Sequence, residues 1–167
     1  AFHLPEHDAF RLRYTLTDLQ RAVRKLTCVI SEERSRPFYL ATRVGASVET
    51  CHRVGCDLAT WMQEGLCDIV ATGANSGTDS GVEIEEFLAL AKGTKVKLYP
   101  GFDSHGESGA RRLIPSKPWL EAWYRGLAQA YFDRGVAGVH IFNWHATSRT
   151  HRSLLTTLGS PETLRCK

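Results

Sequence analysis

The chain has 167 residues, 43% hydrophobic and 23% charged, with a formal net charge of +3; that is a single domain's worth of ordinary globular composition, with enough apolar material for a core. So small a positive balance, without a run of Lys/Arg interleaved with aromatics, argues against a nucleic-acid partner, and no apolar stretch is long enough to place the chain in a membrane. The cysteines (Cys28, Cys51, Cys56, Cys67, Cys166) are odd in number and lack CxxC spacing, which favours free, mostly buried thiols in a reducing compartment over a disulfide framework or a zinc site.

Residues Ala1 to Arg13 show no periodicity and read as a loop. Thr17 and Asp18 can cap a helix whose buried face is Leu19, Val23, Leu26 and Ile30, with Arg21, Arg24 and Lys25 opposite. Phe38–Val44 is the first strand, closed by Gly45. A short helix over Val48–Val54 ends at Gly55, and Asp57 caps a second through Trp61 and Met62, stopped by Gly65. Cys67–Ala71 is the second strand, and a loop rich in Gly, Asn, Ser and Thr follows from Thr72 to Gly81.

Val82–Ala91 is an amphipathic helix with Ile84, Phe87, Leu88 and Ala91 on one side. The third strand is Thr94–Tyr99, its core Lys95–Tyr99, and Pro100 and Gly101 open a long loop to Pro118. Trp119–Arg134 is the longest helix, with Leu120, Trp123, Leu127, Ala130 and Tyr131 as its buried stripe. Val139–Phe142 is the fourth strand, and a last helix runs from about Thr150 to Leu158. Leu40, Ile69, Val70, Val96, Leu98, Val139 and Ile141 are expected inside.

Strand–helix alternation with connections of this length demands a parallel sheet. The expected fold is therefore α/β, a single domain of parallel βα repeats amounting to about half of a TIM (β/α)8 barrel, with helices on the outside. A full barrel typically takes about 250 residues. The chain starts at Ala1 with a loop and a helix and no strand before them. A preceding strand, and more sequence upstream, is expected. A half-barrel has open edges through which it can self-associate.

The segments RPFYLATRVGASVETCHRVGCDLATWMQEGLCDIVATG, VEIEEFLALAKGTKVKLYPGFD and RGVAGVHIFNWHA resemble the C-terminal half of bacterial (β/α)8-barrel proteins loosely called family-10-like glycosyl hydrolases. The similarity runs from about Asp8 to Leu164, and GCDLATWMQEGLCDIV, KLYPGFD and GVHIFNW carry most of it. The resemblance implies that these are the last four strands of a barrel that binds or cleaves carbohydrate. It also implies a catalytic acid at a strand end of the first half, before Ala1. Many sugar-cleaving barrels carry a glutamate at the end of the seventh strand. The matching place, Tyr99 to Gly101, holds no acid, so that carboxylate does not carry over.

Glycoside cleavage ordinarily needs two carboxyl groups. Asp103 and Glu107 are the candidate catalytic pair, placed with His105 in the loop after the third strand; the alternative is a solvated polar loop. Arg43, near the end of the first strand, must find an anion or an ion-pair partner. Asn143, Trp144 and His145 end the fourth strand, where Trp144 can stack on a sugar and its neighbours can hydrogen-bond hydroxyls; a capped strand end with an aromatic plug is the plainer reading. Tyr99 and Asn75 complete the candidate binding set.

Gly73 to Gly77 lacks the Lys-Ser/Thr of a P-loop and the dinucleotide spacing, and no Gly-x-Ser-x-Gly elbow is present. A metal held by His105, His140 and His145 is disfavoured because His140 is expected to alternate away from the pocket, so neither metal nor cofactor is expected. Asp57 and Trp61 read as a helix cap and a packing residue. The function expected is that of a glycoside-hydrolase-like protein acting on or binding carbohydrate and lacking part of its catalytic machinery. The alternatives are a non-catalytic carbohydrate-binding or interaction module, and a small α/β domain binding a phosphorylated metabolite at the Thr72–Gly81 loop.

Overall fold

The computed structural model describes residues 4–73, 82–103, 117–142 and 154–165, the side chains of 102–103 and 117–120 excepted. Its strands are β1 (Ala41–Val44), β2 (Ile69–Gly73), β3 (Lys97–Asp103) and β4 (His140–Phe142). They pair in chain order, all parallel, in one sheet curled as half of a barrel. The helices are α1 (Glu6–Arg11), α2 (Arg13–Glu33), α3 (Val48–Arg53), α4 (Leu58–Gln63), α5 (Ile84–Ala91), α6 (Lys117–Phe132) and α7 (Pro161–Arg165), and residues 154–157 are also helical. This is the expected α/β half-barrel. Among the described residues no helix is long and apolar enough to cross a membrane.

The core lies between the helices and one face of the sheet. Val44, Val70, Thr72 and Leu98, alternate residues of β1 to β3, are buried there. Trp61 and Met62 of α4, Phe87 of α5 and Tyr124, Leu127 and Tyr131 of α6 cluster with the apolar members of that row. Of the strand residues expected inside, Val70 and Leu98 are buried, while Leu40, Ile69, Val96, Val139 and Ile141 are half-buried.

Several boundaries differ from the sequence reading. β1 starts at Ala41, leaving Phe38 and Tyr39 exposed, and β2 starts at Ile69 and runs on to Gly73. β3 passes through Pro100 and Gly101 to Asp103 instead of stopping at Tyr99. The proline is tolerated because of where its missing N–H falls. Ala137 N donates to the Leu98 carbonyl at 3.1 Å, so Leu98, and with it Pro100 two residues on, bonds toward β4. Pairing with β4 begins only at Gly101 and His140. No ladder donor is lost.

The first residues are helical, not a loop. Pro5 precedes α1, whose first turn is acidic and whose Asp8 accepts from Arg11 Nη2 at 3.0 Å. Ala9 is buried, and the Phe10 ring meets His52 of α3 with centroids 4.4 Å apart.

The buried side of α2 is also not the predicted one. Leu19 and Leu26 are 59% and 58% exposed, and Thr17 and Thr27 are buried instead. Polar partners choose the face. Trp61 Nε1 donates to Thr17 Oγ1 at 3.0 Å, Gln20 Nε2 to Thr42 Oγ1 at 3.0 Å and to the Leu66 carbonyl at 3.1 Å, and Arg24 Nη1 to Asp68 Oδ2 at 2.9 Å. Turning the leucines inward would forfeit these bonds at a partly buried seam, where unmade bonds are costly. On α6 the buried row is Tyr124, Leu127, Ala128 and Tyr131, with Trp123 44% exposed. Cys51 and Cys67 are buried free thiols as expected, whereas Cys28 is exposed on α2.

Asp57 does cap α4, accepting from Thr60 N at 3.3 Å, and Trp61 is a packing residue, 4% exposed. Replacing Trp61 with Phe keeps most of the apolar volume but removes the indole donor to the Thr17 hydroxyl, which keeps its own bond to the Arg13 carbonyl at 3.2 Å. The substitution is expected to cost about 0.5–1.5 kcal/mol in denaturant unfolding, the net worth of one hydrogen bond. A fully stable Trp61→Phe protein would contradict this account of α2 docking.

Candidate functional site

Register decides which residues share the face that the helices leave uncovered. Arg43 pairs with Ala71 and Ala71 with Tyr99. One row nearer the carboxyl ends, Gly73 pairs with Gly101 and Gly101 with His140. Phe142 follows two positions after His140, on the same face. Arg43 and Phe142 are exposed here, while Tyr99 and His140 are half-buried.

The glycines make the floor of this face, and the space they leave is used. The Arg43 guanidinium lies over Gly73: a Cβ there would stand 3.2 Å from Nη2 and 3.7 Å from Cζ and Nε. A Cβ on Gly101 would meet the Thr72 carbonyl at 2.6 Å and His140 Nδ1 at 3.2 Å. Across this low floor the side chain of Arg43, from the first strand, reaches the fourth. Its Cζ stands 4.2 Å from the centroid of the Phe142 ring, a cation–π contact. The Tyr99 ring packs on the backbone of Gly138, just before β4.

The electrostatics link Arg43 to His140. Arg11, Arg13, Arg21, Arg24, Arg53 and Arg134 each hold a carboxylate. Arg43 has no carboxylate partner among the described residues; the side chain of Asp103, in register with Phe142, is not among them. His140 Nδ1 is buried with no hydrogen-bond partner among them. Burial, and then the Arg43 charge, push the His140 pKa below its ordinary value.

Of the residues singled out in the sequence, the structure brings Arg43 and Tyr99 to one face. Asp103 is the last residue of β3, paired in register with Phe142, and not part of the following loop. Asn75, His105, Glu107, Asn143, Trp144 and His145 lie outside the described residues. His140 was expected to turn away from the pocket; its register with Gly101 and Gly73 places it on the Arg43 side instead. Phe142 and the glycine floor were missed as well. The signal for all of them was strand alternation carried through Pro100. Among the described residues no three His, Cys, Asp or Glu side chains gather as metal ligands.

Chemically this face can hold an anion on Arg43 and donate from an imidazole beside it, with aromatic surface at Phe142 and Tyr99. No carboxylate with a described side chain joins them. A separate surface cleft of about 450 Å³, lined by Met62–Gly65 and Lys92–Lys95, lies where α4 and α5 lead into their strands. That is the amino end of the sheet, which in barrels serves stability and not chemistry.

Because the folded pKa of His140 is depressed, its share of stability is intact above the ordinary imidazole value of about 6.5 and is lost as pH falls through the folded value. Arg43→Met removes the smaller of the two causes. NMR titration of the His140 ring should then show its pKa rising yet remaining below the ordinary value, and an unchanged or lower pKa would contradict the contact. Comparison with protein-family models and with curated proteins finds no match for this chain.

Proposed function

We propose that this half-barrel recognises carbohydrate at the carboxyl ends of its strands, as a glycoside-hydrolase-like protein whose residues here position substrate and do not by themselves supply a complete catalytic pair. The observation that carries the reading is the gathering of Arg43, His140 and Phe142 on the uncovered face toward those strand ends, with Tyr99 on the same face. Parallel sheets of this kind bind ligands there. Polar donors beside aromatic surface suit sugar hydroxyls and C–H faces.

Glycoside hydrolysis needs carboxyl groups about 5–5.5 Å or roughly 6.5–9.5 Å apart. Asp103, with Glu107, is the candidate from this chain, and a partner carboxylate from other sequence is the alternative. Among the described side chains no carboxylate joins this face, which favours a second reading, a carbohydrate-binding module without catalysis. Self-association belongs to the same proposal. β1 pairs on one side alone among the described residues, and a second copy docking there would help close the barrel.

Calorimetric titration and turnover of soluble oligosaccharides test the reading, using wild type, Trp144→Ala, Asp103→Asn and the packing control Trp61→Phe. Trp144→Ala should weaken binding and the control should not. Asp103→Asn should slow turnover by about 10²–10⁴-fold if Asp103 acts as acid or base; full rate would assign the chemistry elsewhere and leave the binding reading in place. Failure of every oligosaccharide to bind would overturn the proposal.

A further inference from the structure

We infer that the Arg43–His140 pair is an anion subsite, and that the saccharide it serves carries a carboxylate, as a uronic acid does. This rests on the carbohydrate reading above and deepens it. A neutral sugar asks for hydroxyl partners, which Asn, Gln or Ser supply without a fixed charge. Arg43 is exposed, so an anion can reach it, and its planar fork suits a carboxylate better than a hydroxyl. Six described arginines hold carboxylates, whereas Arg43 has none among the described residues and lies over the Phe142 ring.

The guanidinium is also posed for such a ligand. The Phe142 ring, 4.2 Å from Cζ, fixes where the group lies, while its N–H groups hold no hydrogen bond among the described residues. A planar fork held in place but unpaired matches a carboxylate's two oxygens. His140 stands on the next row. Its Nδ1 lies by the Gly101 backbone with no hydrogen-bond partner among the described residues, so the proton of the neutral ring is better carried on Nε2, from which it can be donated to a bound oxygen.

The glycine floor finishes the subsite. Gly73 lies under the guanidinium and Gly101 beside the imidazole, and the two are partners on adjacent strands, which run about 4.8 Å apart. Among the described residues, glycines alone lie beneath the guanidinium and the imidazole, and a sugar acid's carboxylate can approach both. Inorganic phosphate presents similar oxygens, so the test must separate the two sources.

The experiment is calorimetry on the full chain with trimers of galacturonate, glucuronate and mannuronate, their methyl esters, and inorganic phosphate. Wild type, Arg43→Ala, Arg43→Lys and Gly73→Ala are compared after circular dichroism confirms that each is folded. At least one uronate trimer should bind, and Arg43→Ala should weaken it roughly 10–100-fold, the loss of a charge-assisted pair. Arg43→Lys should recover only part, because the fork is gone. Gly73→Ala should weaken binding too, since its methyl group displaces the guanidinium. The esters should bind more weakly than the acids and be indifferent to Arg43.

Acids and esters binding alike, with Arg43→Ala silent, would overturn the anion subsite and leave the carbohydrate reading standing. Phosphate binding through Arg43 with no saccharide bound would overturn the sugar acid and the carbohydrate reading together, favouring a phosphorylated ligand. No binding of any probe would overturn both.

Discussion

A parallel sheet gains most of its stability by burying both faces, and here only one face is covered by the described residues. Val44, Val70, Thr72 and Leu98 meet the helices, while Ala41, Arg43, Lys97 and Phe142 on the other face remain exposed. The curl of the strands turns that uncovered face into a concavity. Everything at the candidate site follows from this asymmetry. A charged side chain can lie on a strand because water reaches it, and the glycines leave the low floor on which Arg43 and His140 lie. The aromatic ring at the end of β4 finds its partner in an arginine from β1 because the curl draws the outer strands together.

The covered face explains why the helices sit as they do. Leucines on α2 would have packed the usual way had the seam beneath them been apolar. It instead offers Thr42, the Leu66 carbonyl, Asp68 and the indole N–H of Trp61. Asp68 is shared: its Oδ2 accepts from Arg24 and from Leu40 N at 2.7 Å, tying α2 to the residue just before β1. The helix is held by directional bonds, and its apolar stripe of Leu19, Leu26 and Val29 stays outside.

How far the sequence could be read depends on the kind of signal. The strands were legible because short β-rich runs recur between helical periods, and their parallel order followed from the length of the connections. Asp57 and Trp61 were legible because capping and packing are local. α2 was misread because periodicity shows an apolar stripe and says nothing of the polar surface awaiting the helix. β3 was cut short at Pro100 because the side of the strand that lacks a donor is set by a partner far along the chain. That error hid the row formed by Gly73, Gly101 and His140, and with it half of the site. Arg43 was legible as a residue in need of an anion. That Phe142 would be its neighbour was not, since the contact spans the sheet from first strand to last.

The central claim is that Arg43 crosses the open face to lie on Phe142, with no carboxylate partner among the described residues. Nuclear Overhauser contacts from the Arg43 δ-methylene and Nε–H protons test it directly in the unliganded protein. The account predicts cross-peaks to the Phe142 ring and to the Gly73 α-protons, with the arginine signals shifted upfield by the ring current. Arginine signals at ordinary positions, without those cross-peaks, would contradict it.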